Sequence, residues 1–401
     1  MTEKKPGNTT GKRPGKKEKT DRKKRIAIVT MSMGTGGVER ALIRMLRHMD
    51  HERCRVDLYL VHKEGELLGE IPPQVRVLQI PTLKAMDLWK HPAAALEKAV
   101  CMGIMKRRKL PFIVQSALSA RMLLPVRKRY DTAISYHAPN TIPVFYVTGR
   151  MKAVRKVLWL HGDTDTNEGS SRLARKVHAS YDKVVGVAES VIQSYLKYHP
   201  EDTWKTRVVY NFTDADQVIE KAGTGETFSD SFDGVRILTA GRLAYQKGLD
   251  MAVRVCGRLA GDGYRFRWYV LGEGSLRAEL EGLIRREHLE DIFVLMGNKS
   301  NPYGFMKQCD LYVQPSRMEG FCTATWEAKI LGKTVITTDV SGAREQFRDG
   351  YDGWIVPISE EAIYEKLKWC LDHMERAREV SKHIDMDRAG GQSSVSWLYE
   401  E

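Results

Sequence analysis

Two glutamates separated by seven residues form the densest cluster of reactive groups in this 401-residue chain. Glu319 lies in a loop after a predicted strand, and Glu327 lies just past the first turn of a helix predicted over 324–331. Helical side chains point back toward the helix N-terminus, so both carboxylates are expected to face one cavity. Carboxylates suit sugar and ribose hydroxyls, and the free N–H groups at the helix start suit a phosphate. On spacing alone, acids that merely complement the helix dipole are an equal alternative.

Two cations follow the first predicted strand of the second half. Arg242 and Lys247 lie in the segment AGRLAYQKG, where Gly241 permits a tight turn. Either cation alone is typical of an ordinary surface. Because both stand at the carboxyl end of one strand, where α/β proteins bind ligands, the pair favours a diphosphate site.

A glycine-bearing loop, GTGGVER, follows the first strand of the chain. It resembles a dinucleotide-binding loop, but Glu39 stands where that pattern needs its third glycine, so an NAD site is disfavoured. A loop whose backbone approaches another ligand remains open. His161 follows a later strand, and a single histidine there is more often structural.

Strand and helix patterns alternate through both halves, which predicts an α/β protein with two Rossmann-like, doubly wound parallel-sheet domains that face a cleft. The polar segment 211–234 lacks clear periodicity and is interpreted as the linker. For the C-terminal segment, one alternative is that the chain crosses back to the first domain. The predicted boundaries are a disordered basic arm at 1–24, a first domain at 25–210, the linker at 211–234, a second domain at 235–375 and a C-terminal segment at 376–401.

The net charge of +13 comes from two segments. Residues 1–25 carry a net charge of +8, which is typical of a solubilising tail, although attraction to an anionic surface stays open. Nucleic-acid binding by this arm is the weaker alternative, because the arm has no aromatic side chains. No apolar run approaches the roughly 18 residues of a membrane span, and the N-terminus lacks a secretory pattern. The six cysteines form no CxxC pair, so a reducing cytoplasm is expected.

The second basic segment, 84–129, has a net charge of +9 and mixes cations with apolar residues. This pattern predicts two helices, with a break between them near Pro111. One interpretation is an ordinary solvated face, with Trp89, Phe112 and Leu123 packed into the first domain. The other is a basic, apolar face that rests on anionic lipid. The membrane hypothesis names the basic run Lys106, Arg107, Arg108 and Lys109.

Seven segments together resemble the retaining glycosyltransferases of family four, a nucleotide-sugar-dependent group with the GT-B fold. They cover most of the second half and the opening of the first, and the paired glutamates with the upstream GRLAYQKG are the most specific. Residues 62–150 match no named pattern, as expected of an acceptor site. The matching segments are GTGGVER, VYNFTD, AGRLAYQKG, LGEG, MGNKSN, EGFCTATWEA and VSGAREQFRDGYDGWIV.

The resemblance implies a role for each matching residue. Arg242 and Lys247 would grip the donor diphosphate and stabilise the charge that develops on it. Glu327 would hold the ribose and Glu319 the donor sugar, with His161 beside the reacting sugar. Together Arg242, Lys247, Glu319 and His161 form the implied catalytic set. Further donor contacts are implied for Gly36, Gly37, Asn298, Lys299, Phe321, Cys322 and Thr323, of which Cys322 stands where the family often has glycine.

The implied reaction moves a hexose or N-acetylhexosamine, with retention, from a nucleotide sugar to a lipid-linked or cell-surface glycan. A UDP-sugar is the expected donor. No cofactor and no metal are expected, because cations fill the diphosphate position and the Asp-x-Asp triplets at 163/165, 214/216 and 385/387 are no more frequent than chance.

The expected partners are the donor, a glycan or glycolipid acceptor and an anionic membrane at the inner face of the plasma membrane, with no specific nucleic acid. Two alternatives remain open. One is a nucleotide-sugar epimerase of the same fold, which would act without an acceptor. The other is a nucleic-acid-binding protein that uses the basic arm, whose binding would be strongly salt-sensitive.

Overall fold

Thirteen strands form two separate parallel sheets in the computed structural model, which describes residues 22–83, 92–107, 109–164, 171–383 and 394–400. The first sheet has the order β3-β2-β1-β4-β5-β6-β7. The carboxyl-terminal parts of its inner strands are buried and mostly apolar, as burial on both faces requires. The strands are β1 (Lys24–Thr30), β2 (Cys54–Leu60), β3 (Arg76–Gln79), β4 (Arg129–Tyr136), β5 (Lys152–Leu160), β6 (Lys183–Gly186) and β7 (Thr206–Val208).

The second sheet has the order β10-β9-β8-β11-β12-β13, and all of its neighbouring strands are parallel. This confirms the predicted fold class, because each sheet is flanked by the helices that connect its strands. The strands are β8 (Val235–Ala240), β9 (Phe266–Leu271), β10 (Phe293–Leu295), β11 (Leu311–Gln314), β12 (Thr334–Thr338) and β13 (Trp354–Val356).

The helices of the first domain and its linker are α1 (Gly37–His48), α2 (Pro92–Arg107), α3 (Phe112–Arg121), α4 (Ile142–Arg150), α5 (Arg172–His178), α6 (Glu189–Leu196) and α7 (Ala215–Ala222). Those that follow are α8 (Leu249–Gly261), α9 (Arg277–Arg286), α10 (Tyr303–Gln308), α11 (Thr323–Ile330), α12 (Ala343–Gln346), α13 (Glu360–Asp372), α14 (Met374–Val380) and α15 (Trp397–Glu400). Among the described helices, none combines the length and apolarity needed to cross a bilayer.

Segment 211–234 lacks clear periodicity in the sequence, yet it contains helix α7. Asp214 caps this helix by accepting a hydrogen bond from the Gln217 N–H at 3.0 Å, and Val218 and Ala222 are its buried residues. Polar or charged residues occupy four of its six other positions, which hid the helical spacing. The break predicted near Pro111 is confirmed, since α2 ends at Arg107 and α3 begins at Phe112.

The strand order of each sheet reverses at one place, and these two places position the site. In the first sheet the reversal lies between β1 and β4, and in the second it lies between β8 and β11. Loops that follow such strands diverge and leave a crevice at the carboxyl edge. We call the space between the loops that follow β1, β4, β8 and β11 the interdomain cleft.

The C-terminal helix α15 lies against the first sheet. Arg155 of β5 donates to the carbonyl oxygens of Trp397 and Leu398 at 3.1 and 2.8 Å. Thr132 of β4 donates to the Leu398 carbonyl at 3.2 Å, and the Arg155 guanidinium lies 5.6 Å from the Trp397 ring. Helix α15 is thereby fixed to the first domain.

Candidate functional site

Lys247 and Glu319 form an ion pair at the edge of the second sheet. Lys247 Nζ lies 2.6 Å from Glu319 Oε1, and Ser316 Oγ donates to the same oxygen at 2.6 Å. Burial alone would lower the pKa of Lys247, but the Glu319 carboxylate outweighs it and the pKa is raised. Lys247 is therefore cationic, and Glu319 is held by two donors.

Arg242 points from the second domain toward the glycine loop of the first. A Cβ atom placed on Gly36 would lie 2.8 Å from Arg242 Nη2 and would collide with the Glu39 carboxylate. A larger residue there would force these two side chains to move, whereas Gly37 has open space around it. Burial raises the pKa of Glu39, and the nearby Arg242 charge partly offsets this. The structure thus brings Gly36 and Arg242 together across the interdomain cleft.

Two histidines line the first-domain side of the interdomain cleft. Burial, followed by the neighbouring His137, lowers the pKa of His161 to about 3, and burial with the Arg242 charge lowers that of His137 to about 4. His161 stacks against Tyr136 at 4.3 Å between ring centroids. Its Nε2 is buried and has no partner among the described residues. His161 is neutral at physiological pH, with a nitrogen available to a ligand.

The paired-glutamate segment opens helix α11 close to the first domain. Phe321 and Cys322 are buried, and Phe321 lies 5.7 Å from the Tyr210 ring. Cys322 caps the helix without a side-chain hydrogen bond, so the N–H groups of Thr323 and Ala324 have no intrahelical acceptors. Burial raises the pKa of Cys322 to about 11, which makes it a neutral thiol.

Glu327 and Glu319 have different hydrogen-bond and ion-pair partners. Glu327 Oε1 forms an ion pair with the Arg44 guanidinium of α1 and accepts a hydrogen bond from the Tyr303 hydroxyl at 3.2 Å. Arg44 and Glu327 are 9% and 5% exposed, so the pair is buried between the domains. The two glutamates thus lie in separate ion pairs, each with its own cation.

The loop predicted to border the base lies beside an open cavity of about 990 Å³. Asn298 is exposed, while Lys299 Nζ pairs with Glu226 Oε2 at 2.6 Å. The cavity separates Arg40 and Arg47 of α1 from Ser300 and Asn301 of this loop. None of the predicted donor residues lines it.

Three contacts join the two domains at the site. A Cβ atom on Gly320 would collide with the His161 carbonyl, so the loops that carry Glu319 and His161 touch. Beside them, Ser341 Oγ donates to Asp163 Oδ1 at 2.6 Å. Glu345 accepts from the Ser190 N–H at 3.0 Å at the start of α6. The predicted catalytic residues therefore meet only because both domains contribute.

Where they are described, the Asp-x-Asp triplets take part in contacts of the protein itself. Asp163 pairs with Ser341, Asp214 caps α7, and the triplet at 385/387 lies outside the described residues. Among the residues that the structure describes, no group of three His, Cys, Asp or Glu side chains is arranged to hold a metal ion. Arg108 of the membrane hypothesis and Trp89 also lie outside the described residues, whereas Lys106 and Lys109 are exposed.

Four side chains at the site were not predicted: Arg44, Tyr303, Glu39 as a buried acid, and His137. Arg40, Arg44 and Arg47 recur at helical spacing, which is the local signal of a basic face on α1. His137 follows β4 at the position where His161 follows β5, so the strand-end rule applied to His161 would have found it. Tyr303 carries no comparable signal.

Residues 232–384 match the family model described as "Glycosyl transferases group 1". A Campylobacter jejuni protein is 27% identical over 379 residues, which is 91% of this chain and 94% of that protein. Its name is N-acetylgalactosamine-N,N'-diacetylbacillosaminyl-diphospho-undecaprenol 4-alpha-N-acetylgalactosaminyltransferase. The colanic acid biosynthesis glycosyltransferase WcaL of Salmonella typhimurium, a putative assignment, is 32% identical over 134 residues, 31% of this chain and 33% of that protein.

Solved structures share the fold over nearly the whole chain. Anabaena HepE in complex with UDP and glucose superposes with a TM-score of 0.64, at 16% identity, over 92% of this chain and 94% of that one. TarM of S. aureus superposes with a TM-score of 0.65, at 13% identity, over 94% of this chain and 99% of that one. At these identities the likeness shows a shared two-domain fold.

Proposed function

We propose that the chain is a group 1 glycosyltransferase with the GT-B fold, and that it moves a hexose or N-acetylhexosamine from a UDP-sugar to a lipid-linked glycan, with retention. One observation carries the proposal: Arg242, Lys247 and Glu319 of the second domain meet Gly36 and His161 of the first. That grouping is suited to a ligand that has a diphosphate at one end and a sugar at the other.

The diphosphate is assigned to the space beside Arg242 and Lys247. The Arg242 guanidinium makes no hydrogen bond or ion pair with the described residues, so its five N–H donors are available to phosphate oxygens. Lys247 reaches the same space while it pairs with Glu319. The N–H groups that open α11 add further donors for the phosphate. The UDP complex of HepE, which shares this fold, supports a UDP-sugar as donor.

The transfer proceeds on one face of the donor sugar. The acceptor hydroxyl oxygen bonds to the anomeric carbon as the bond from that carbon to the phosphate oxygen breaks, and the departing phosphate takes the hydroxyl proton. Negative charge builds on the diphosphate, where Arg242 and Lys247 stabilise it. Glu319 accepts from Lys247 and Ser316, which suits a residue that orients sugar hydroxyls. His161 is neutral and offers Nε2 to the sugar.

The acceptor is assigned to the first domain, at a membrane. The face of α2 that contains Leu96, Val100 and Ile104 is exposed at 68%, 53% and 42%, and Phe112 of α3 is 55% exposed. Exposed apolar side chains next to a basic run suit an anionic bilayer surface. The diphospho-undecaprenol in the name of the Campylobacter relative supports a lipid-linked acceptor.

Product analysis tests this proposal directly. The purified protein is incubated with a UDP-hexose or UDP-N-acetylhexosamine and a lipid-linked oligosaccharide in detergent, and the product is examined by mass spectrometry and by NMR of the anomeric proton. An added sugar with the donor's anomeric configuration is expected. A product of inverted configuration would remove the retaining mechanism and leave the transferase assignment intact.

A further inference from the structure

Arg44 is a first-domain side chain that reaches into the part of the second domain assigned to the ribose. Its Nη2 forms the ion pair with Glu327 Oε1 and also donates to the Tyr303 hydroxyl at 3.1 Å. The Tyr303 hydroxyl in turn donates to Glu327 Oε1 at 3.2 Å. These three side chains form a closed triangle in which one carboxylate oxygen receives two hydrogen bonds.

The triangle leaves one donor and one acceptor unused. Arg44 Nη1 is buried and has no hydrogen-bond partner among the described residues. Glu327 Oε2 likewise takes part in none of the hydrogen bonds and ion pairs formed there, which all end on Oε1. A buried guanidinium donor is rarely left unpaired, because its desolvation is then uncompensated. An unpaired donor beside an unused carboxylate oxygen matches a hydroxyl group, which both donates and accepts.

We propose that Arg44 is a positioning residue for nucleotide recognition: with Tyr303 it fixes Glu327 Oε1, so that Oε2 accepts a hydrogen bond from a ribose hydroxyl whose oxygen accepts from Arg44 Nη1. The inference rests on the proposed nucleotide-sugar function and adds a residue to it. Because Arg44 belongs to the first domain and Glu327 to the second, ribose recognition depends on both domains.

A purely structural role for Arg44 makes a different prediction. A tether that only holds the domains together would affect all nucleotides alike when it is removed. A positioning residue affects the part of the affinity that comes from the ribose hydroxyls. The decisive quantity is therefore the ratio of two dissociation constants, that of a deoxyribose analogue over that of UDP, which we call the deoxy ratio.

Calorimetry with UDP, 2′-deoxy-UDP and 3′-deoxy-UDP measures this ratio in the full chain. For the wild type we expect a deoxy ratio of roughly 10 to 100 for at least one analogue, the range for a hydrogen bond to a charged group. In Arg44→Gln the ratio should fall below about 3, since Glu327 is no longer fixed. Arg53→Gln is the matched control, because Arg53 forms an exposed pair with Glu400 far from the ribose assignment, and it should keep the wild-type ratio.

Tyr303→Phe provides a second variant that removes only a hydroxyl, in case Arg44→Gln does not fold. It should lower the deoxy ratio by a smaller factor than Arg44→Gln. A folded Arg44→Gln or Tyr303→Phe that binds UDP more weakly but keeps the full ratio would overturn the inference and leave the proposed function standing. If the wild type binds UDP with a ratio near one, Glu327 does not read the ribose and the inference is wrong. If the wild type binds neither UDP nor GDP, the proposed nucleotide-sugar function itself is wrong.

Discussion

Arg242 and Lys247 set the clearest expectation at the scale of single residues. Removing one preorganised donor from a developing anion typically slows a reaction by two to three powers of ten. Arg242→Ala and Lys247→Ala should therefore each lower kcat by at least roughly tenfold, a conservative floor. Steady-state rates of UDP release measure the effect, and thermal melting checks that each variant folds.

Arg258→Ala is a suitable control for both variants. Arg258 lies on the surface of the same domain, where it pairs with Glu361, so its removal should leave kcat unchanged. Wild-type turnover in both folded cleft variants would falsify the diphosphate assignment. A loss in Lys247→Ala alone would point instead to Glu319, which loses its counter-charge in that variant.

Arg242 and Lys247 also lead us to predict that sugar transfer does not require a metal ion. Two cations lie at the position proposed for the diphosphate, and the described residues form no three-ligand metal site. Transfer should therefore proceed at an unchanged rate in excess EDTA. A rate that falls with EDTA and recovers on addition of magnesium or manganese would show that the cations are not sufficient.

At the scale of elements, the contact between α5 and α6 predicts how stability depends on pH. Burial, and then the neighbouring His199, lowers the pKa of His178 to about 3. The unfolded chain binds a proton at this histidine below about pH 6.5, and the folded chain does so only near pH 3. The stability is therefore fully present above pH 6.5 and is lost as the pH falls, by about 1.4 kcal/mol per unit.

His178→Phe should reduce this loss. Between pH 7 and pH 5 the free energy of unfolding of the wild type should fall by about 2 kcal/mol more than that of the variant. Phenylalanine keeps a ring next to Tyr195, whose centroid lies 5.7 Å from that of His178. Urea unfolding at both pH values gives the difference, and exposed His62→Phe serves as the control. Equal slopes in His178→Phe and the wild type would mean that His178 is protonated in the folded state.

Helices α2 and α3 are the elements expected to meet the membrane. Changing Lys106, Arg107, Arg108 and Lys109 to Ser should abolish flotation with anionic liposomes at low salt, because each cation near such a surface contributes on the order of 1 kcal/mol. Replacing Leu96, Val100 and Ile104 by Ser should weaken binding without changing the charge. Deletion of residues 1–25 is the comparison: if only this deletion abolishes binding, the helical face is the wrong surface.

At the scale of the whole molecule, the sequence predicted the sheets far better than the contacts between the domains. The run TVITT from Thr334 to Thr338 is β-branched throughout, which is a clear strand signal, and it forms strand β12. Helix α7 was missed because its charged residues outnumber its two buried ones. The pairing of Arg44 with Glu327 could not be predicted, since 283 residues separate them and the contact exists only once both domains are placed.

The proposed transfer reaction is tested most directly by measuring nucleotide release from a panel of UDP- and GDP-sugars, with and without a lipid-linked glycan. The account predicts release of UDP from a UDP-hexose or UDP-N-acetylhexosamine that depends on the acceptor. Its physical basis is that the diphosphate leaves only when an acceptor hydroxyl replaces it at the anomeric carbon. Release of an epimerised sugar without acceptor, or release from GDP-sugars alone, would contradict it.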